Sequence, residues 1–252
     1  MEPPVQSDQL GNSMKSRLCL ALFMFGLLTT SAIAELPIVI SPGTHNYGKI
    51  PQHAVANKRF WIRSTSSKPE KISHVIPDCG CTSVVLPDST IAPGDSVALD
   101  LIFHSRAFVG YIVKRPSVKL QGSDENAIIQ FYAEVLTKPE AARPLVFDPV
   151  KVDVSQFGEK PRRKGTFKLT NFTSNDLTIS VVDSSFKSFD VTIPGLIKAG
   201  QTVEGQVMVH KSSIQTEFEE AFTIELNDEG RTRYAIPITR LYNPNSGGLS
   251  GK

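Results

Sequence analysis

The sequence predicts an all-β fold with two tandem antiparallel β-sandwiches after a signal peptide. Three observations support this prediction. Short runs alternate apolar and polar residues, 17 glycines and 17 prolines are spread along the 252-residue chain, and one pattern recurs at an offset of about 106 residues. After the N-terminal region, no stretch keeps a helical apolar period over three turns, so we expect no substantial helix.

The N-terminal region has the three parts of a secretory signal peptide. Lys15 and Arg17 precede an apolar run over residues 18–28, and a small-residue cleavage site ends at Ala34. Residues 1–34 are therefore predicted to be an N-terminal extension and cleavable signal peptide. Met14 is a more natural start than Met1. The run is short for a bilayer, so we expect no transmembrane span in the mature chain and a periplasmic or extracellular location.

Period-two alternation identifies the strands of the first half. Core positions are expected at every second residue, namely Phe60, Ile62, Val97, Leu99, Leu101, Phe103, Ile129, Phe131, Ala133 and Val135. Trp61 alternates with Phe60 and is expected on the opposite face of its strand. The runs lie about ten residues apart, which is typical of a sandwich or barrel.

The repeat divides the chain. Residues 91–97 align with residues 197–203, and the closing strand at 128–135 aligns with 234–241. Each copy has about a hundred residues, the usual size of an immunoglobulin-like sandwich. The predicted domains are therefore residues 35–138 and 139–242, and residues 243–252 form a tail that is flexible by composition.

The turn within each repeat has a structural explanation. Pro93 presets one backbone angle and Gly94 can adopt a positive φ, while Gly200 occupies the glycine position of the second copy. We assign these three residues a structural role and no chemistry.

Composition and motifs exclude several classes of function. The net charge is +2 and no long basic run is present, so nucleic acid is not an expected partner. The sequence lacks the nucleophile elbow, the zinc-protease helix motif, the P-loop and the dinucleotide fingerprint. We therefore predict that the protein is not an enzyme.

Cys79 and Cys81 are the feature best suited to chemistry. Gly80 separates them, and Cys19 lies in the predicted signal peptide, so this pair supplies the cysteines of the mature chain. Three interpretations stay open: a short-loop disulfide that is structural or redox-active, a pair of thiolate ligands for a soft metal, or two inert turn residues.

The histidines bear on the metal interpretation. Four of the five histidines lie in the first half, and His74 is the best candidate for a third ligand beside Cys79 and Cys81. His104 aligns with His210 of the second copy, where no cysteine pair exists. His104 is therefore more simply explained as a residue at a strand end than as a metal ligand. The metal would be copper, but no full ligand set at a known spacing is present.

The first half resembles the bacterial DUF1573 proteins. The resemblance covers roughly residues 40–136 and rests on segments 47–50, 60–63, 79–82 and 91–95, with Gly110 and Lys114 beyond. Cys-Gly-Cys-Thr before a Pro-Gly turn is its most specific part. The resemblance implies an immunoglobulin-like sandwich of the ASH/HYDIN/MSP type and no defined activity. The second copy has Ser185 and Lys187 near the cysteine positions, which confines any cysteine chemistry to the first half.

Two functions follow as hypotheses. The first is an exported, non-enzymatic protein that binds another protein or a component of the cell envelope, because the repeated fold serves widely for adhesion and no catalytic motif is present. The second is a thiol-redox or copper-handling protein centred on Cys79 and Cys81.

Overall fold

The computed structural model describes residues 35–183 and 188–245, and the described residues from Leu36 onward form one compact unit. The predicted signal peptide, Ser185, Lys187 and most of the predicted tail lie outside the described residues. Within the described ranges, no helix is long and apolar enough to cross a bilayer.

Strands form most of the described chain. The strands between residues 38 and 136 are β1 Ile38–Ser41, β2 Thr44–Pro51, β3 Val55–Ser64, β4 Glu70–Ile76, β5 Thr82–Val85, β6 Thr90–Ile91, β7 Ser96–His104, β8 Gly110–Lys114, β9 Ser117–Leu120, β10 Asn126–Ile128 and β11 Gln130–Leu136. Those between residues 145 and 243 are β12 Leu145–Asp148, β13 Val152–Asp153, β14 Gln156–Phe157, β15 Lys164–Asn171, β16 Leu177–Asp183, β17 Phe189–Thr192, β18 Leu196–Ile197, β19 Thr202–Val209, β20 Phe218–Leu226, β21 Arg233–Arg240 and β22 Tyr242–Asn243. Short 3-10 helices occupy Pro139–Ala142 and Lys211–Ser213. The predicted all-β fold class is confirmed.

The same strand order occurs in each half. One sheet runs β1-β3-β7-β5 and another runs β12-β15-β19-β17, with antiparallel pairing throughout. Phe60 pairs with Leu99 in the first sheet, and Phe167 pairs with Gly205 in the second. The domain limits at residues 138 and 139 stay a prediction, because a third sheet of eight strands contains strands from both halves.

Alternation along the strands builds two apolar cores. In β7 the side chains of Leu99, Leu101 and Phe103 are fully buried, as their period-two spacing predicts. Trp61 is 48% exposed while its neighbour Phe60 is fully buried, which places them on opposite faces of β3. The first core consists of residues from the first half together with two small side chains of the second half, Ala221 and Ala235.

The eight-stranded sheet joins the halves through β2 and β21. These strands pair in parallel at Lys49 and Tyr234, which gives the order β18-β16-β20-β21-β2-β11-β8. The eighth strand, β13, pairs in parallel with β21 outside this order. Gly48 lies at the junction with a φ of +70°, and a Cβ built on it would lie 2.2 Å from the carbonyl oxygen of Arg233. A glycine at this position therefore permits the two backbones to approach each other.

A buried polar cluster lies beside this junction. The His45 Nε2 atom is 3.6 Å from Asp183 Oδ2, and Lys58 Nζ is 3.2 Å from Asp183 Oδ1. Burial lowers the pKa of His45 to about 4, and the charges of Lys58 and Arg233 act in the same direction, while the Asp183 carboxylate opposes them. His45 is therefore neutral when the protein is folded at neutral pH.

The pKa of His45 predicts an acid-sensitive stability. Unfolded His45, with a pKa near 6.5, binds a proton more readily than folded His45, so stability rises with pH between these values. Above pH 6.5 His45 is neutral in both states and does not change the free energy of unfolding. As the pH drops to 4, the free energy of unfolding falls by about 3 kcal/mol. Urea denaturation across this range should show a shallower pH dependence for His45→Gln than for the wild type. The exposed-site variant His74→Gln is the control, and equal slopes for all three proteins would contradict the prediction.

Candidate functional site

The cysteine pair lies in a turn between β4 and β5. The chain leaves β4 at Ile76, passes through Asp78 at a φ of 62°, and enters the edge strand β5 directly after Cys81. The Cys81 carbonyl accepts a hydrogen bond from the His104 amide at 2.8 Å, which fixes the end of the turn to β7. The turn is thus held at the edge of a sheet.

The two sulfur atoms lie in bonding contact, with the Cα atoms of Cys79 and Cys81 5.2 Å apart. Cys81 is buried in the first core, whereas Cys79 is partly exposed and packs against that core. The Thr82 hydroxyl lies 3.6 Å from the Cys79 sulfur and 3.8 Å from the Cys81 sulfur. Cys79 is therefore the more accessible of the pair.

Two arginines border the cysteine turn. The Arg106 guanidinium donates to the Gly80 carbonyl, and the Arg115 backbone amide donates to Asp78 Oδ2 at 2.9 Å. Arg106 precedes β8 in the chain and Arg115 follows it, so the turn contacts residues just beyond each end of that strand. Arg106 brings its guanidinium to the turn, and a cationic neighbour favours a thiolate over a thiol, whereas Arg115 contacts the turn through its backbone.

β8 ends the eight-stranded sheet. It pairs antiparallel with β11, and among the described strands none pairs with its other side. Tyr111 is 67% exposed and Val113 is 38% exposed on its outward face, while Ile112 packs against the core. Val109, just before the strand, is 66% exposed. Lys114 in β8, with Arg115 and Pro116 directly after it, supplies the charge and proline that usually protect a sheet edge. The exposed apolar surface of β8 consists of Tyr111 and Val113.

His74 contacts its own strand rather than the cysteines. It is exposed on β4, with its Nδ1 atom 3.1 Å from the Ser73 hydroxyl. In the part of the chain that the structure describes, no three histidine, cysteine or acidic side chains converge as metal ligands, so His74, Cys79 and Cys81 do not form such a group. A copper site here stays a prediction.

The turn residues have the backbone that their assigned role requires. Gly94 has a φ of +73° and Gly200 a φ of +68°, and a Cβ on either would meet no atom within 4 Å. The Asp95 amide donates to the Ala92 carbonyl at 3.0 Å across the turn that contains Pro93. Equivalent connections therefore precede β7 and β19.

The edge strand β8 is not among the candidate sites that the sequence predicts. Its residues Gly110 and Lys114 contribute only to the family resemblance. The alternation of Val109, Tyr111 and Val113 was a usable signal, but period two alone does not distinguish a buried face from an exposed one.

Removing both cysteines should cost little stability. A disulfide between Cys79 and Cys81 closes a three-residue loop, for which loop entropy gives less than about 2 kcal/mol. Denaturation of Cys79→Ala/Cys81→Ala beside the wild type measures the difference, and thiol titration of the unfolded wild type reports its redox state. A loss above about 3 kcal/mol would show that the pair is needed for folding.

The fold defines the class of protein: an all-β chain whose sheets are mainly antiparallel, with an unpaired edge strand near a cysteine turn. Residues 38–135 match the family described as "Protein of unknown function (DUF1573)". This match agrees with the resemblance of the first half of the sequence to the DUF1573 proteins.

Several solved structures match this chain, with low sequence identity and low TM-scores. A protein of unknown function from Porphyromonas gingivalis W83 is 12% identical with a TM-score of 0.34, covering 81% of this chain and 99% of that one. The YadV chaperone is 14% identical with a TM-score of 0.31, covering 80% and 98%. The Pseudomonas aeruginosa CupB2 chaperone is 10% identical with a TM-score of 0.29, covering 79% and 98%. A comparison with curated protein sequences finds no match.

Proposed function

We propose that this protein is an exported, non-enzymatic β-sandwich protein that binds a protein partner in the cell envelope through the open edge of β8. Residues 1–34 act as the signal peptide in this proposal. Residues 35–138 form the partner-binding domain and residues 139–242 a second immunoglobulin-like domain, followed by the tail. The charge of +2 and the absence of catalytic motifs support a binding role over catalysis.

One observation carries the proposal: β8 has an unpaired side and an apolar outward face. A strand from a partner can add to such an edge through backbone hydrogen bonds, and pockets for alternate side chains give specificity. Tyr111 lies 5.9 Å from Tyr132 of β11, ring centroid to ring centroid, so the aromatic surface continues onto the neighbouring strand. Tyrosine and other aromatic side chains are enriched at protein interfaces.

The amino-acid sequence limits where a partner strand can lie. Gly110 begins β8, and Arg115 and Pro116 follow its last residue, so about five residues are available for pairing. A strand of this length alone supports a modest affinity, and Tyr111 would supply much of the remaining contact.

Photo-cross-linking in the producing cells tests the proposal. A photoreactive amino acid replaces Tyr111 in one variant and Phe172 in a second, because Phe172 is also half-exposed but lies in the other half of the chain. We expect one discrete adduct from position 111 and none of the same mass from position 172. The adduct should disappear when Val113→Lys is added, because a charge on the outward face opposes strand addition. Adducts of equal yield at both positions, or an adduct insensitive to Val113→Lys, would overturn the proposal.

A second candidate function is thiol-disulfide exchange at Cys79 and Cys81. The partial exposure of Cys79 and the guanidinium of Arg106 beside Gly80 favour it, because such surroundings stabilise an attacking or leaving thiolate. In this reaction a partner dithiol is oxidised to a disulfide while the Cys79–Cys81 bond is reduced to two thiols.

Equilibration with glutathione buffers tests the exchange function. We expect Arg106→Gln to make the Cys79–Cys81 pair harder to reduce, because the thiolate loses a nearby positive charge. Arg63→Gln, an exposed arginine outside this turn, is the control. Titration of the reduced protein with Cu(I), with and without His74→Ala, tests whether Cys79 and Cys81 bind copper instead. Thiols that do not equilibrate with glutathione and do not bind Cu(I) would remove this second function.

A further inference from the structure

A cavity of about 260 Å³ lies beside the junction of β2 and β21. Residues from three distant parts of the chain line it: the end of β2, the segment from the end of β11 to Lys151, and the start of β21. Its walls are largely apolar and include Leu136, Ala142, Phe147, Val150 and Ile236. This volume is a little below the roughly 300 Å³ at which typical small-molecule sites begin, so a short ligand fits it.

Three lysines line the same cavity, and no acidic residue does. They are Lys49, Lys138 and Lys151. Lys49 Nζ donates to the Arg143 carbonyl at 2.6 Å, and Lys151 Nζ donates to the His53 carbonyl at 2.5 Å. These carbonyls position the two ammonium groups at the cavity without neutralising them.

Two carboxylates on neighbouring strands do not pair with Lys49 or Lys151. Glu134 is the cross-strand neighbour of Lys49, and Glu219 acts on Lys151 from a distance, yet neither forms an ion pair within 4 Å in the described part of the chain. Burial lowers the pKa of Lys151, and the charge of Glu219 opposes this change. An ammonium group has three donors. Lys49 also donates to the Ala141 carbonyl at 3.4 Å and so keeps one hydrogen for an incoming acceptor, while Lys151 keeps two.

We propose that this cavity binds a small amphipathic anion: a short alkyl chain against the apolar walls and a carboxylate held by Lys151 and Lys49. Charge complementarity selects this ligand class, because a cationic headgroup would be repelled and a neutral one would accept a hydrogen bond without the attraction between opposite charges. The site is independent of the proposed binding at β8, which lies on another strand of the sheet.

Calorimetric titration with three probes of equal chain length tests the proposal. Octanoate, 1-octanol and octylammonium each have eight carbon atoms, one of which is the carboxyl carbon in octanoate, and they differ in the charge of the headgroup. We expect octanoate to bind the wild type about tenfold more tightly than octanol and octylammonium to bind more weakly than either. Lys151→Gln should weaken octanoate binding several-fold, with Lys49 still in place, and leave octanol binding unchanged.

Two further variants separate the outcomes. Val150→Trp fills the cavity and should abolish binding of both octanoate and octanol, while Lys168→Gln, an exposed lysine of β15, should leave octanoate binding unchanged. The proposal is overturned if octanoate does not bind, if all three probes bind equally, or if Lys168→Gln weakens binding as much as Lys151→Gln. None of these results bears on the cross-linking at position 111, so the two proposals fail separately.

Discussion

Replacing Gly48 by alanine should lower the free energy of unfolding by about 3 kcal/mol or more. The new Cβ would meet the carbonyl group of Arg233, with its oxygen at 2.2 Å and its carbon at 2.3 Å, and backbone atoms cannot rotate away as a flexible side chain can. The φ of +70° adds strain for any residue with a side chain. Since this contact lies where β2 joins β21, the substitution should separate the two halves of the eight-stranded sheet.

Gly94→Ala is the matched control for Gly48→Ala. Gly94 has a nearly identical φ of +73°, and a Cβ there would meet no atom within 4 Å. Gly94→Ala should lower the free energy of unfolding only by the strain of a side chain at a positive φ, about 1 to 2 kcal/mol. Chemical denaturation of both variants isolates the contribution of the backbone contact. Equal losses would show that β2 and β21 are not held as closely as the structure has them.

Replacing Arg240 by methionine should cost about 3 to 5 kcal/mol. Arg240 is fully buried in β21, where its guanidinium donates to the carbonyls of Val154, Arg162 and Ile214 and to the Gln156 side chain. Methionine fills much of the volume but leaves these acceptors without their donor, and each buried unsatisfied acceptor is costly.

The conservative substitution Arg240→Lys should also lower the free energy of unfolding. An ammonium group cannot reproduce the planar set of donors with which the guanidinium reaches several acceptors. Arg63→Met, at an exposed position of β3, is the control and should change stability by less than about 0.5 kcal/mol. Thermal and urea denaturation of the three variants give the comparison. A loss below about 1 kcal/mol for Arg240→Met would indicate that water or a neighbouring donor replaces the guanidinium.

Local patterns predicted the strands well. In β7 and β11 the side chains repeat with period two, and burying one face follows directly from that spacing, as Leu101 and Phe131 show. The turn glycines were also predictable, because Gly94 and Gly200 recur at one offset in two similar contexts.

Long-range features were not predictable from such patterns. The pairing of β2 with β21 rests on Lys49 and Tyr234, which are far apart in the chain and share no motif. Arg240 is a charged residue at a strand end, for which exposure is the usual expectation, yet it is buried. The cavity draws its lysines from separate segments, so only the folded chain brings Lys49 and Lys151 to one site.

Hydrogen exchange at the backbone amides of β8 tests the proposed function most directly. In the isolated protein, the amides that point away from β11 should exchange quickly, because no described strand covers that side. Adding the partner identified by cross-linking at position 111 should protect these amides and leave those of β12, an edge strand of the other half, unchanged. If β8 is already protected in the isolated protein, or if the partner protects only other strands, the proposal that this edge recruits a partner strand is wrong.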